Sequence, residues 1–207
     1  MSLRRLLALV FAALVLVGGA VSSPAGGSST RMASVDDDVR INQIQVIGSH
    51  NSYKRMVSDA EEELRRSFIG DAADQMQYQH EPLATQFSNQ RVRQIELDVY
   101  LDSAGGLYSD PMLRSAAGLG AYDPAMDLPG IKVLHIQDVD YRTTCLSLVS
   151  CLEQIEGWSD ANPSHLPIAV LLELKDDPLS FGSFTFTTPE PWTAAAMDSL
   201  DAEIRSV

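Results

Sequence analysis

Positive charge is scarce in this chain: 15 Lys and Arg stand against 28 Asp and Glu, a formal net charge of −13 over 207 residues. Nucleic acid is therefore excluded as a partner, because affinity for it comes mainly from Lys and Arg contacts with phosphate. Generalised adhesion to anionic membranes is excluded on the same ground. Cysteine is also scarce, with two residues, Cys145 and Cys151, too few for a thiolate metal centre. Histidine occurs four times. No internal repeat is visible, and long apolar runs are confined to the N-terminus. What is present is 45% hydrophobic residues, enough for one sizeable core.

The N-terminal run begins after Arg4 and Arg5, continues as LLALVFAALVLVGGA, and gives way to small residues. A basic start, an apolar stretch and small residues are the three regions of a secretory signal. The run stops at Gly18-Gly19, short of the roughly 20 apolar residues that a membrane span needs. Residues 1–25 are expected to be a cleaved signal peptide, cut after Ala20 or nearer Ala25, and the protein to be secreted. Residues 26–38, rich in Ser, Gly and Asp, read as a flexible leader. Export permits a disulfide between Cys145 and Cys151, provided that Cys145 lies just outside a helix containing Cys151; two buried thiols are the alternative.

From residue 39 onward, strands and helices alternate. INQIQVIG (Ile41 to Gly48) reads as the first strand. SDAEEELRRSFI and EPLATQFSNQ read as surface helices, the latter with Pro82 in its first turn, where a missing N–H is harmless. RQIELDVYLD alternates apolar and polar, which places Glu96, Asp98 and Asp102 on one face of a second strand. A Gly/Pro-rich excursion from Gly105 to Gly130 is long enough to act as a covering or functional loop. IKVLHI is the third strand and Leu146 to Trp158 a helix. IAVLLELK is a nearly continuous apolar run, as expected of a strand buried on both faces of a parallel sheet. A helix then runs from Pro191 to the end.

This order predicts an α/β protein with a parallel sheet. Its polar residues fall late in the strands: His50 and Asn51 after the first, Glu96 and Asp98 in the second, His135 in the third, Glu173 and Lys175 in the fourth. In a TIM barrel the chemistry collects at those C-terminal strand ends. The prediction is therefore a TIM-barrel-like fold with only its N-terminal half present in residues 39–207 and a longer reading frame beyond Val207, the alternative being a sheet completed another way. Oxygen donors from Asn51, Glu96, Asp98 and Glu173 suit a hard cation such as Ca²⁺. His50 and His135 beside it could share proton transfer, because imidazole titrates near neutral pH. Asp138 and Asp140 read as turn residues, with Asp138 the candidate to orient His135. His80 and His165 read as ordinary surface residues.

SHNSY, then QIELDVY, then LHI, then PIAVLLELKDD resemble the phosphatidylinositol-specific phospholipase C family, most closely its secreted, calcium-dependent bacterial and fungal branch. The resemblance covers roughly Ile41 to Asp177. It implies His50 as the general base on the inositol 2-hydroxyl, and His135 as the residue that stabilises the phosphorane. It also implies Asn51, Glu96, Asp98 and Glu173 as calcium ligands, and Lys175 near the phosphate or inositol. The substrate implied is a phospholipid met in transient contact with a membrane surface.

Two rivals remain open at this point. A glycerophosphodiester phosphodiesterase also uses a strand-end histidine with E-x-D and E-x-K, but reads H-R-G and H-D where this chain has His50-Asn51-Ser52 and His135-Ile136. The other is a secreted protein that binds calcium or inositol phosphate without turnover.

Overall fold

The computed structural model describes residues 39–182 and 184–207. The expected signal peptide and leader lie outside them. Two compact units are distinguished, one ending at Ile44 and one running from Gln45 to Val207. The described part of the first unit is a short 3₁₀ turn, Ile41–Gln43, closed by the Gln43 side chain on the Arg40 backbone N–H at 2.9 Å. The expected first strand is shortened to β1, Ile47–Gly48, because residues 41–43 close a 3₁₀ turn in place of extended chain.

The second unit is a mixed α/β structure around a small open sheet. Its axis is β2, Val92–Tyr100, whose alternation turns Ile95, Leu97 and Val99 into the core at 0% exposure. On one edge β2 carries β1, in parallel, at its start and β3, Lys132–Val133, at its end. Along the other edge lies β4, Ala169–Leu174, in parallel from Gln94↔Ala169 to Val99↔Leu174. A separate hairpin is formed by β5, Ser180–Phe181, and β6, Phe184–Thr185.

Two expectations are corrected here. β3 runs antiparallel to β2, not parallel. A parallel return needs a crossover that carries the chain back to the start of the sheet. The Gly105–Gly130 loop instead leaves and re-enters at the same end of β2, where Gly130 donates to the Asp102 carbonyl at 2.9 Å, so the chain can only run back down. Gly105 sits at φ 82°, and a Cβ there would lie 2.4 Å from the Asp127 carbonyl oxygen. The loop is a covering element, with its own helix α3 (Met112–Ala116) and a small core of Tyr100, Tyr108, Met126 and Leu134.

β4 is the second correction, because it is not buried on both faces. Leu172 packs on the core, but Val170, Leu171 and Leu174 are 36%, 54% and 40% exposed. Its far edge pairs with no strand among the described residues.

The helices follow local chemistry. α1, Asp59–Ile69, starts at a capping box in which Ser58 accepts from the Glu61 N–H and Glu61 accepts from the Ser58 N–H. α2, Leu83–Asn89, follows Pro82. α4, Leu148–Ala161, is capped by Ser147, and α5, Ala194–Ser206, by Thr193. Cys145 and Cys151 are bridged, with Cys145 just ahead of α4 and both residues buried. No helix among the described residues is long and apolar enough to cross a membrane.

Candidate functional site

The site is assembled on β2. Strand periodicity puts Glu96 and Asp98 on the face opposite the core residues Leu97 and Val99, and the register sets Asp98 directly beside Glu173 of β4. Carboxylate oxygens of Glu96, Asp98 and Glu173 come within 4.8 Å of one another. Like charges so close repel, and the surroundings show it. Burial pushes the Asp98 carboxyl up, helped by Glu173 and opposed by Lys175. Burial also pushes Glu96 up, while His50 partly offsets this. Glu173, more exposed, is drawn down by its hydrogen bond from Lys175. Lys175 Nζ stands 2.6 Å from Glu173 and 3.2 Å from Asp98, so one ammonium answers two carboxylates.

His50 and Asn51 reach the same rim from the turn after β1. Ser52 stitches that turn to β2, donating N–H to the Glu96 carbonyl and accepting the Glu96 N–H on its hydroxyl. The residue in the left-handed region is Asn51, at φ 49°, a conformation that asparagine tolerates better than most. Gly48 serves closeness instead, since a Cβ there would overlap the Gln94 side chain. His50 Nε2 faces Glu96 Oε1 at 3.5 Å, and its ring is 70% exposed. Asn51 is fully buried: its amide donates to Tyr78 Oη at 2.7 Å and its oxygen accepts from Tyr53 Oη at 3.2 Å. An amide oxygen has two lone pairs, so one acceptor position is left.

His135 follows β3, and its Nδ1 lies 2.7 Å from Asp140 Oδ2. An ionised carboxylate only accepts, so Nδ1 carries the proton and Nε2 is left for other work. Asp140, not Asp138, orients this histidine. The chain folds back in a tight hairpin, with Ile136 and Asp140 bridged, which brings Asp140 under the ring. Asp138, at φ 68°, instead accepts the backbone N–H groups of Met112 and Thr187.

Beneath Asp140 lies a layer that sequence reasoning missed. Lys54 Nζ stands 3.3 Å from Asp140 and Arg65 Nη1 3.1 Å, all three side chains being 0–1% exposed. Lys54 also donates to the Met76 and Tyr78 carbonyls and lies 4.4 Å from the Tyr78 ring centroid. A lysine beside an exposed-looking turn gives no sign of burial. His80 was missed too: its Nε2 donates to the His50 carbonyl at 2.8 Å and so holds the turn.

The carboxylate group fits a hard divalent cation on its own chemistry. Both Asp98 oxygens are buried; Oδ2 has Lys175 Nζ at 3.2 Å, whereas Oδ1 has no partner among the described residues, so one ammonium stands against three clustered carboxylates and leaves room for a further positive charge. A comparison with family models matches residues 39–207 to the calcium-dependent phosphoinositide phospholipase C family. The chain belongs to this family. The family is calcium-dependent, and the carboxylate cluster is compatible with that. Comparisons with curated proteins and with solved structures return no match.

Proposed function

We propose that this phospholipase C family chain cleaves phosphatidylinositol to diacylglycerol and inositol 1,2-cyclic phosphate. The observation that carries the reading is the cluster of Glu96, Asp98 and Glu173, three carboxylates within 4.8 Å of one another answered by the single ammonium of Lys175, with His50 at its rim. Asn51, Glu96, Asp98 and Glu173 would hold the Ca²⁺, which when bound lowers the pKa of the attacking hydroxyl and offsets charge on the phosphate oxygens.

The chain's own groups do the rest. His50, exposed and steadied by Glu96, takes the proton of the inositol 2-hydroxyl as its oxygen bonds to phosphorus, the bond to the diacylglycerol oxygen breaks, and that oxygen takes up a proton from water. The nucleophile is tethered to the phosphate that it attacks, so proximity supplies much of the rate. His135, its Nδ1–H committed to Asp140, donates from Nε2–H to a phosphoryl oxygen in its imidazolium form, which the Asp140 carboxylate supports. Lys175 adds positive charge beside the phosphate. The half-barrel reading of the fold, the secreted bacterial and fungal branch, and export through residues 1–25 belong to this proposal as well.

The test feeds phosphatidylinositol and glycerophosphoinositol in parallel and follows products by ³¹P NMR, with and without calcium. The expectation is calcium-dependent inositol 1,2-cyclic phosphate from the lipid, lost in His50→Ala. Preference for glycerophosphoinositol would favour the diesterase rival, and absence of turnover on either the binding-protein rival.

A further inference from the structure

A second site lies at the other end of β2. Arg93 opens that strand and Asp98 stands near its close. Five residues at about 3.3 Å each separate the two by roughly 16 Å. Around Arg93 is a cavity of about 400 Å³ lined by Arg91, Arg93, His165, Trp158, Ser88 and Ser164 among others, and no lining residue is acidic. In a chain of net charge −13 that is an unusual concentration of positive charge.

Neither arginine has an ion-pair partner among the described residues. Arg93 Nη1 donates to the Phe87 and Val92 carbonyls at 2.9 and 2.6 Å, and its guanidinium lies 4.8 Å from the Trp158 ring centroid. These contacts fix the plane of the fork. They leave Nε buried without a partner. A guanidinium held flat with an unpaired edge is the group that recognises oxyanions bidentately. Trp158 is immobilised in turn by its indole N–H on Ser88 at 2.7 Å and by Phe87 at 5.1 Å between centroids.

We infer that this cavity binds a small organic phosphate, its oxyanion between Arg93 and Arg91 and its body within the remaining volume. The volume falls in the range of small-molecule sites and exceeds what an inorganic ion alone requires. Whether the phosphate arrives as a free metabolite or as a lipid headgroup, the recognition chemistry is the same.

The full chain is titrated with inorganic phosphate in chelator, so that no metal-bridged anion at the carboxylate end can report. The arginine Nε–Hε NMR resonances are followed. The expected result is a saturable shift of the Arg93 resonance and of the Trp158 indole N–H that lines the same cavity, the indole shift giving an affinity weakened at least about fivefold in Arg93→Lys, which keeps the charge but loses the fork. Arg91→Asn should weaken it similarly. Arg91 sits at φ 59°, a conformation that asparagine accepts, so this variant keeps its fold even where changes at Arg93 do not. Parallel sedimentation with phosphatidylcholine vesicles, with and without phosphatidylserine, separates the sources: Arg91-dependent binding to the anionic vesicles assigns a headgroup, and its absence a free phosphate. A linear, unsaturable shift, or equal affinity in Arg91→Asn, would overturn the inference and leave Arg93 as a cap on the end of α2.

Discussion

Replacing Asp140 by asparagine removes one negative charge from beneath His135 while keeping the side chain's shape. Three cationic or donor groups depend on that charge: His135 Nδ1 at 2.7 Å, Arg65 Nη1 at 3.1 Å and Lys54 Nζ at 3.3 Å. Breaking a buried pair by removing one partner costs about 3–5 kcal/mol, because the other charge stays behind. Lys54 retains the Met76 and Tyr78 carbonyls, and Arg65 retains Glu62, so the low end of that range applies. About 3 kcal/mol corresponds to a fall in Tm of about 6–12 °C for a chain of this size. Melting followed by circular dichroism in chelator measures it. Asparagine can still accept from Nδ1, but it no longer stabilises a positive imidazole, so turnover should fall at least about tenfold. Calcium affinity should stay within about twofold, since Asp140 is not one of the clustered carboxylates. A Tm change below about 2 °C would refute the view that Lys54 and Arg65 rely on this carboxylate.

The carboxylate cluster predicts an inverted pH dependence without metal. Burial holds Glu96 and Asp98 above their ordinary values, so the folded state binds protons more readily than the unfolded chain. Their contribution to stability should therefore grow as pH falls from neutrality toward the ordinary carboxylate range in chelator, and Asp98→Asn should flatten that gain; the same slope in both proteins would contradict it. Glu61 has the opposite sign. Burial raises it, but hydrogen bonds from Tyr141 and Ser58 and the Arg142 ion pair bring it below its ordinary value. Its contribution is present above about pH 4.5 and is lost as pH falls further, so Glu61→Gln should soften unfolding in acid melts. Cys145→Ser with Cys151→Ser opens a short loop, and chain entropy puts the loss at about 2 kcal/mol, or about 4–8 °C in Tm; a melt unchanged by reductant would speak against it.

Much of the site was legible because it rests on strand alternation. The period of two in QIELDVY put Glu96 and Asp98 on one face, and the apolar run ending in Glu173 could only pair beside it. The disulfide was legible as a geometric condition, met because Ser147 starts α4 between the two cysteines. The direction of β3 was not, since it depends on where the Gly105–Gly130 loop re-enters, a tertiary fact. Asp140 was passed over for Asp138 because sequence distance favoured the nearer residue, whereas a tight hairpin reverses the order. Hydrophobicity marked β4 as able to be buried, which does not say what covers it. Lys54 carries no local signal at all, because only the fold brings Asp140 to it.

The central claim is that Glu96, Asp98 and Glu173 form one calcium site beside His50. Isothermal titration of the metal-free protein with calcium, run beside Asp98→Asn, tests it most directly. One saturable site in the native protein, weakened at least about tenfold in the variant, is the predicted result. No calcium uptake by the native protein, or equal affinity in both, would contradict it.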